Sequence, residues 1–268
     1  MGCAQQSKER NEELIGSTLE NITRWILLPY TKKWPARIKL DSLDIPSKTK
    51  DMIAQALQVP QTRLQLIKRA HLSVPKSIFF FENRQLYQQN ESTVSLTKED
   101  MDLCDATMIL ICTHGSRDRC CGTLGGRLYA KASKRYPSMI WQTSHVGGHR
   151  FAPTLLSLPQ GMMYGRVQES DIESVCMQSR ERVPFSLASL RGVPAWPKKV
   201  QVAAASYWKH HRTQIASWNV VGSVVQLNTE KGSFSYRVEK IDTGMVMFPS
   251  CMDQKTKNMY RYNCTLQS

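Results

Sequence analysis

"CDATMILICTHGSRDRCCGTLGGRLYAKASKRYPSMIWQTSHVGGH", residues 104–149, carries the pattern from which the fold is read. The apolar run 104–112 has the character of a buried strand, and it stops at the polar turn "THGSRDRC". Residues 121–136 fit a helix with Leu124, Leu128 and Tyr129 turned inward, and 138–145 read as a second strand. Cys112 ends the first strand, Cys120 and Cys121 open the helix, His145 ends the second strand, and His149 follows across Val146-Gly147-Gly148. In a parallel β-α-β unit the carboxyl ends of neighbouring strands lie side by side, where open α/β sheets place ligands. Cys112, a cysteine at the helix start, His145 and His149 therefore converge in this reading as two thiolates and two imidazoles. Zinc and iron-sulfur clusters both accept such a donor set. The ligands come from two loops of a larger domain rather than from the short elements of a zinc finger. That layout suits the wider footprint of a two-iron cluster, but spacing alone leaves zinc and 2Fe-2S level. Gly147 and Gly148, having no side chains, would let backbone N–H groups approach a buried inorganic sulfide.

Working outward, residues 154–167 divide into a hairpin around Pro159-Gln160-Gly161, and 169–180 close with a helix. Residues 104–182 then form one compact α/β unit. Upstream, 1–103 reads as a small α+β region. It has a helix within 1–26 from the spacing of Leu14, Ile15, Leu19, Ile22 and Ile26, and short extended pieces around Pro29 and Pro35. A second helix spans 47–59 with Ser47 as N-cap, and strands follow in 63–70 and 77–83. Downstream, 183–268 begins with a proline-containing connector. A helix over 198–218 follows, with Val202, Tyr207 or Trp208, and Ile215 facing inward. Short alternating stretches then predict an antiparallel sheet. The fold class is α/β, or α+β taken overall, and no internal repeat is expected.

A hydrophobic fraction of 41%, with six Trp, nine Tyr and seven Phe to fill cores, excludes a wholly disordered chain. The formal charge of +14 is spread in small clusters such as Lys32-Lys33, Lys198-Lys199 and the segment 209–212. No zinc-finger, RRM or basic-helix signature accompanies it, so the basic surface reads as steering an acidic partner protein, and no nucleic acid is expected. No apolar stretch is long enough to span a membrane. The N-terminus lacks the apolar core of a secretory signal, and Gln6 stands where myristoylation wants Ser or Thr. The expected compartment is cytoplasmic, where eight cysteines read as free thiols or metal ligands rather than disulfides. Cys104, Cys176, Cys251 and Cys264 read as small apolar fillers, and His71, His210 and His211 as exposed or structural.

The stretches "CTHGSRDRCCG", "SHVGGHRFAPTLLSLPQGMMYGRV" and "LRGVPAWPKKVQ" resemble the sucrase/ferredoxin-like family, densely over 108–167 and more weakly over 187–205. The resemblance implies a thioredoxin-like ferredoxin domain holding a 2Fe-2S cluster through two Cys and two His. On that pattern Cys112, Cys121, His145 and His149 are the ligands, because the family's second cysteine directly precedes a glycine, here Gly122. Cys120 falls on a free position, and His114 becomes a candidate support beside the ligands. Arg117, Asp118 and Arg150 are expected to orient loops or tune charge. The implied function is a one-electron carrier between a reductase and an acceptor. Neutral imidazoles in place of two thiolates would raise its potential above that of a plant-type ferredoxin. The rival readings are a structural zinc module and thiol-disulfide chemistry. Against the second stands the absence of a C-x-x-C pair. Sugar hydrolysis, suggested by the family's name, needs two carboxylates, and the motifs supply only Asp118.

Overall fold

The computed structural model describes residues 2–70, 73, 76–251 and 255–267; His71 lies outside them. The chain opens with α1 (Cys3–Glu9), β1 (Arg24–Pro29), α2 (Ser47–Gln58), β2 (Thr62–Lys68), β3 (Phe79–Glu82), β4 (Gln85–Gln88) and β5 (Asp102–Cys104). It continues with β6 (Met108–Cys112), α3 (Gly126–Arg135), β7 (Ile140–Thr143), β8 (Leu155–Leu158), β9 (Met162–Tyr164), α4 (Ile172–Met177) and β10 (Leu190–Gly192). It closes with α5 (Lys198–His210), β11 (Ile215–Val221), β12 (Val224–Thr229), β13 (Gly232–Met247) and β14 (Lys257–Leu266).

The first ten strands form one sheet in the order β10-β9-β8-β6-β7-β2-β1-β3-β4-β5. Within it the same topology occurs twice. In β1-α2-β2-β3-β4 the strands β1 and β2 are parallel, and the β3-β4 hairpin lies on the far side of β1. In β6-α3-β7-β8-β9 the strands β6 and β7 are parallel, and the β8-β9 hairpin lies on the far side of β6. The two units join through the antiparallel pair β2-β7, with Ile67 opposite Thr143. The sheet thus runs unbroken from the N-terminal region into 104–182. No sequence repeat marks the duplication, because parallel strands need only apolar runs and a helical crossover, which many unrelated residues supply.

Alternation places successive side chains of β6 on opposite faces. Ile109 and Ile111 join a core with α3, α4 and α5. Met108, Leu110 and Cys112 join a second core with Trp25, Trp141 and Cys121. All five are buried, which is why the run carries no polar residue. Each fully buried Ile or Leu contributes roughly 1.5–3 kcal/mol. The C-terminal strands form a separate antiparallel sheet, β11-β12-β13-β14, as the alternation predicts. Tyr207 and Trp208 of α5, both fully buried, cluster with Val225, Leu227, Tyr236 and Val238 of that sheet.

Several expectations need correction. Ser47 is the first helical residue of α2 rather than its N-cap, a place taken by Pro46, and no side chain caps this end. The helix expected within 1–26 is limited to Cys3–Glu9. Asn11, Gly16 and Asn21 have positive φ, which breaks a helix, and tertiary bonds hold the segment instead. Among these, Gly16 N–H donates to Arg191 O and Ile22 N–H to Pro194 O. The run 104–112 is not one strand, since Cys104 ends β5 at the sheet's far edge while β6 begins at Met108. The helix expected to reach residue 218 ends at His210, because His211 turns extended and Ile215 begins β11.

Candidate metal centre

Strands β6 and β7 run in register with Cys112 opposite Thr143, so their carboxyl ends are adjacent as the sequence predicts. The chain leaves Cys112 through a tight turn in which Arg117 and Asp118 N–H donate to His114 O, and it returns as a π-helical turn, Cys121–Gly125, ahead of α3. Such turns are rare and are found frequently at functional sites. Two glycines let this turn lie against the strand it left. A Cβ on Gly122 would come within 2.6 Å of Gly115 Cα, and one on Gly125 within 1.9 Å of Cys112 O. The close approach brings Cys121 to Cys112.

The Sγ atoms of Cys112 and Cys121 and a ring nitrogen of His145 lie within 4.8 Å of one another. Cys121 Sγ is 3.8 Å from His145 Nδ1, and the opposite ring edge, Nε2, is 3.4 Å from His149 Nδ1. The two imidazoles stack with centroids 5.0 Å apart. All four predicted residues therefore meet, but His149 joins through the far side of the His145 ring. The donors form a row rather than a single tetrahedron. Cys112 and Cys121 are fully buried, whereas the histidines are half-buried, with 12% of the His149 side chain exposed. The Cys121 thiol lowers the pKa of Cys112 by donating to its sulfur, and His145 acts in the same direction; the same bond raises Cys121.

Supporting groups surround the row. Buried His114 accepts the His145 N–H on Nδ1 (3.1 Å) and faces Pro35 O with Nε2 (3.0 Å). That pairing assigns the neutral tautomer with the proton on Nε2, in keeping with the lowering of its pKa by burial. Asp118 is buried, accepting Cys120 N–H on Oδ1 (2.8 Å) and Cys251 N–H on Oδ2 (3.0 Å). This carboxylate orients loops, as expected, and each oxygen accepts one backbone N–H while keeping a lone pair free. Arg150 binds Glu12 at 2.6 Å and so fastens the N-terminal segment, while Arg117 is exposed.

Sequence reasoning missed Arg63 and Arg191. Arg63 donates to His145 O (3.1 Å). Arg191 is fully buried over the Phe151 ring and donates to Gly147 O, Ser17 O and Ser17 Oγ. Burial lowers its pKa to about 9, with Arg150 adding to the effect and the charges of Cys121 and Cys112 opposing it. The "LRG" of the third quoted stretch was the only signal for it. Gly147 and Gly148 have φ of +90° and +70°, and a Cβ on Gly148 would meet Arg191 Nη2 at 2.2 Å. The glycine pair thus opens the space this guanidinium fills.

Cys120 points away from the row, toward Cys3 and Cys251. Cys251 packs, as the apolar filler expected, against a small cluster of Cys3, Ala4, Cys120 and Ala152, and Cys176 is buried in a core. Cys104 and Cys264 are half-buried beside apolar clusters. His210 is exposed at the end of α5, and the His211 ring packs against Tyr207 and Phe234. Among the described residues, no helix is long and apolar enough to cross a membrane.

A protein of Meyerozyma guilliermondii named altered inheritance of mitochondria protein 32 is 33% identical over 104 residues, covering 35% of each chain. The match thus spans about a third of that relative's length. No solved structure matches the chain. The family described as sucrase/ferredoxin-like matches residues 14–192, which take in both β-α-β-β-β units and all four residues of the row. With that match over more than half its length, the chain belongs to the sucrase/ferredoxin-like family.

Proposed function

We propose that this protein carries single electrons on a 2Fe-2S cluster held by Cys112, Cys121, His145 and His149. The observation that carries the reading is the row of donors. Two nitrogens bound to one tetrahedral ion at about 2.0–2.1 Å lie about 3.4 Å apart, the separation between His145 Nε2 and His149 Nδ1. Those nitrogens lie across the His145 ring from Cys121, so the four donors extend beyond one ion's shell and suit a two-metal group better than one zinc. The thioredoxin-like assignment is supported by the β-α-β-β-β topology of residues 108–164, with its parallel pair and antiparallel hairpin.

When bound, the cluster would supply reversible one-electron chemistry. The residues of this chain set its surroundings. His114 and Arg63 hold the backbone at His145, and Arg191 holds the loop at Gly147. Arg191 also places a positive charge near the thiolates, which eases uptake of negative charge. The sulfur end is dry and the histidine end reaches solvent, so electrons exchange at the imidazole edge. An acidic partner would be drawn by the net charge of +14. The relative's name makes the mitochondrion the compartment to compare with the cytoplasm by cell fractionation.

Protein purified without air should contain about two irons and two acid-labile sulfides at the Cys/His site and show red-brown absorbance. Zinc at this site with no sulfide would return the zinc-module reading. Replacing His145 or His149 by Cys adds a negative charge to the cluster, so its midpoint potential should fall in a redox titration. An unchanged or raised potential would remove that histidine from the ligand set.

A further inference from the structure

The cysteine left outside the row belongs to a second constellation. Cys120 Sγ lies 3.6 Å from Cys3 Sγ and 3.2 Å from Cys251 Sγ, and Cys251 Sγ lies 3.2 Å from Cys3 Sγ. The three thiols come from α1, from the residue just before the π-helical turn, and from the segment between β13 and β14. Cys3 and Cys120 are buried and Cys251 is half-buried. Asp118 lies against them, with one donor atom from each of the four residues within 4.8 Å of the others. Its side chain is 0% exposed, and the described ion pairs give it only His149, at 3.9 Å. A buried carboxylate without a Lys or Arg partner calls for another cation.

The three sulfurs share a small apolar cluster with Ala4 and Ala152, but packing alone does not place a buried carboxylate against them. Nor does a disulfide account for the three thiols, since an S–S bond is about 2.05 Å long and any pairing strands the third thiol. Four tetrahedral ligands with Zn–S bonds of about 2.3 Å have sulfurs about 3.8 Å apart. The separations of 3.6, 3.2 and 3.2 Å need to open by roughly 0.2 to 0.6 Å to meet that value. Sulfur ligands favour soft metals, and a carboxylate in the fourth place favours zinc over monovalent copper. We infer that Cys3, Cys120 and Cys251, with Asp118, bind one structural Zn²⁺.

Binding deprotonates the three thiols and releases their protons to solvent. The ion would join segments 248 residues apart in the chain. It would also hold the strap 249–251 over the Cys/His site, where Pro249 O meets His149 Nε2 and Cys251 N–H meets Asp118 Oδ2. This explains why two adjacent cysteines are present: Cys121 serves one site and Cys120 the other. The two donor sets share no residue, so this inference does not depend on the nature of the first group.

The test is metal analysis of the full-length chain purified without air from zinc-supplemented cells, with X-ray absorption at the zinc edge. Wild type should hold about one zinc with three sulfurs at about 2.3 Å and one oxygen. Cys251→Ser should lose that zinc and keep its iron and visible spectrum, while Cys121→Ser should lose iron and keep zinc. Wild type without zinc, zinc unchanged in Cys251→Ser, or an edge spectrum with two sulfurs and two nitrogens would each overturn the second site. The edge spectrum needs no variant, so it decides the matter even if Cys251→Ser does not fold. Iron content reports on the first site and the response to Cys251→Ser on the second, so one can fail without the other.

Discussion

Cys121→Ser should remove the iron-sulfur absorbance, and Cys120→Ser should leave it nearly intact. The two side chains are neighbours in sequence, yet they serve opposite surroundings. Cys121 is fully buried, with its sulfur against Cys112 and 3.8 Å from His145 Nδ1. A serine there offers a hard oxygen that stays protonated where a soft thiolate is needed. Even residues that merely support metal ligands cost roughly 10–100-fold in affinity when replaced, so loss of a ligand should cost more. Cys120 turns to Cys3 and Cys251, and its replacement should release zinc while the iron remains. The measurement is iron and sulfide content with a visible spectrum for each variant after purification without air. A bleached Cys120→Ser with a coloured Cys121→Ser would shift the ligand assignment by one residue.

How much of this could be read from the sequence differed with the range of the interactions involved. The β-α-β unit was legible because burial on both faces forces an uninterrupted apolar strand, and the helix that follows carries its own period. The row was legible for a related reason: Cys112, a cysteine at the helix start, His145 and His149 sit at the ends of consecutive elements, so local spacing brings them together, while the choice of Cys121 over Cys120 came from the family resemblance. The segment after α1 misled because Leu14, Ile15, Leu19 and Ile22 have helical spacing, while Gly16 and Asn21 take left-handed backbone that only tertiary contacts select. The duplicated topology escaped because a fold unit can recur without its residues recurring. Cys3 and Cys251 escaped most completely. Their contact spans 248 positions, and nothing in the spacing of a single chain records which distant loops close on each other.

Gly125→Ala and Gly126→Ala, one position apart, should change the protein in opposite directions. Both glycines have right-handed helical backbone, near φ −66° and −61°, so neither needs glycine for its dihedrals. On propensity alone each alanine would stabilise by roughly 0.5–1 kcal/mol. Gly126 realises that gain, because a Cβ there meets nothing within 4 Å. At Gly125 the new carbon would lie 1.9 Å from Cys112 O and 3.0 Å from Cys112 C. Those are backbone atoms of a central strand, where Cys112 N–H is already bonded to Thr154 O, so no side chain can swing aside. The helix start must move away from β6, at a cost of about 3 kcal/mol or more given that ordinary overpacking costs ~1–3. Because Cys121 opens the same turn, the displacement also pulls its sulfur from Cys112 and should lower cluster occupancy. Chemical denaturation of both variants, with iron content measured alongside, provides the check. Gly125→Ala as stable and as iron-loaded as wild type would mean that the close approach of this turn to the strand is not what assembles the site.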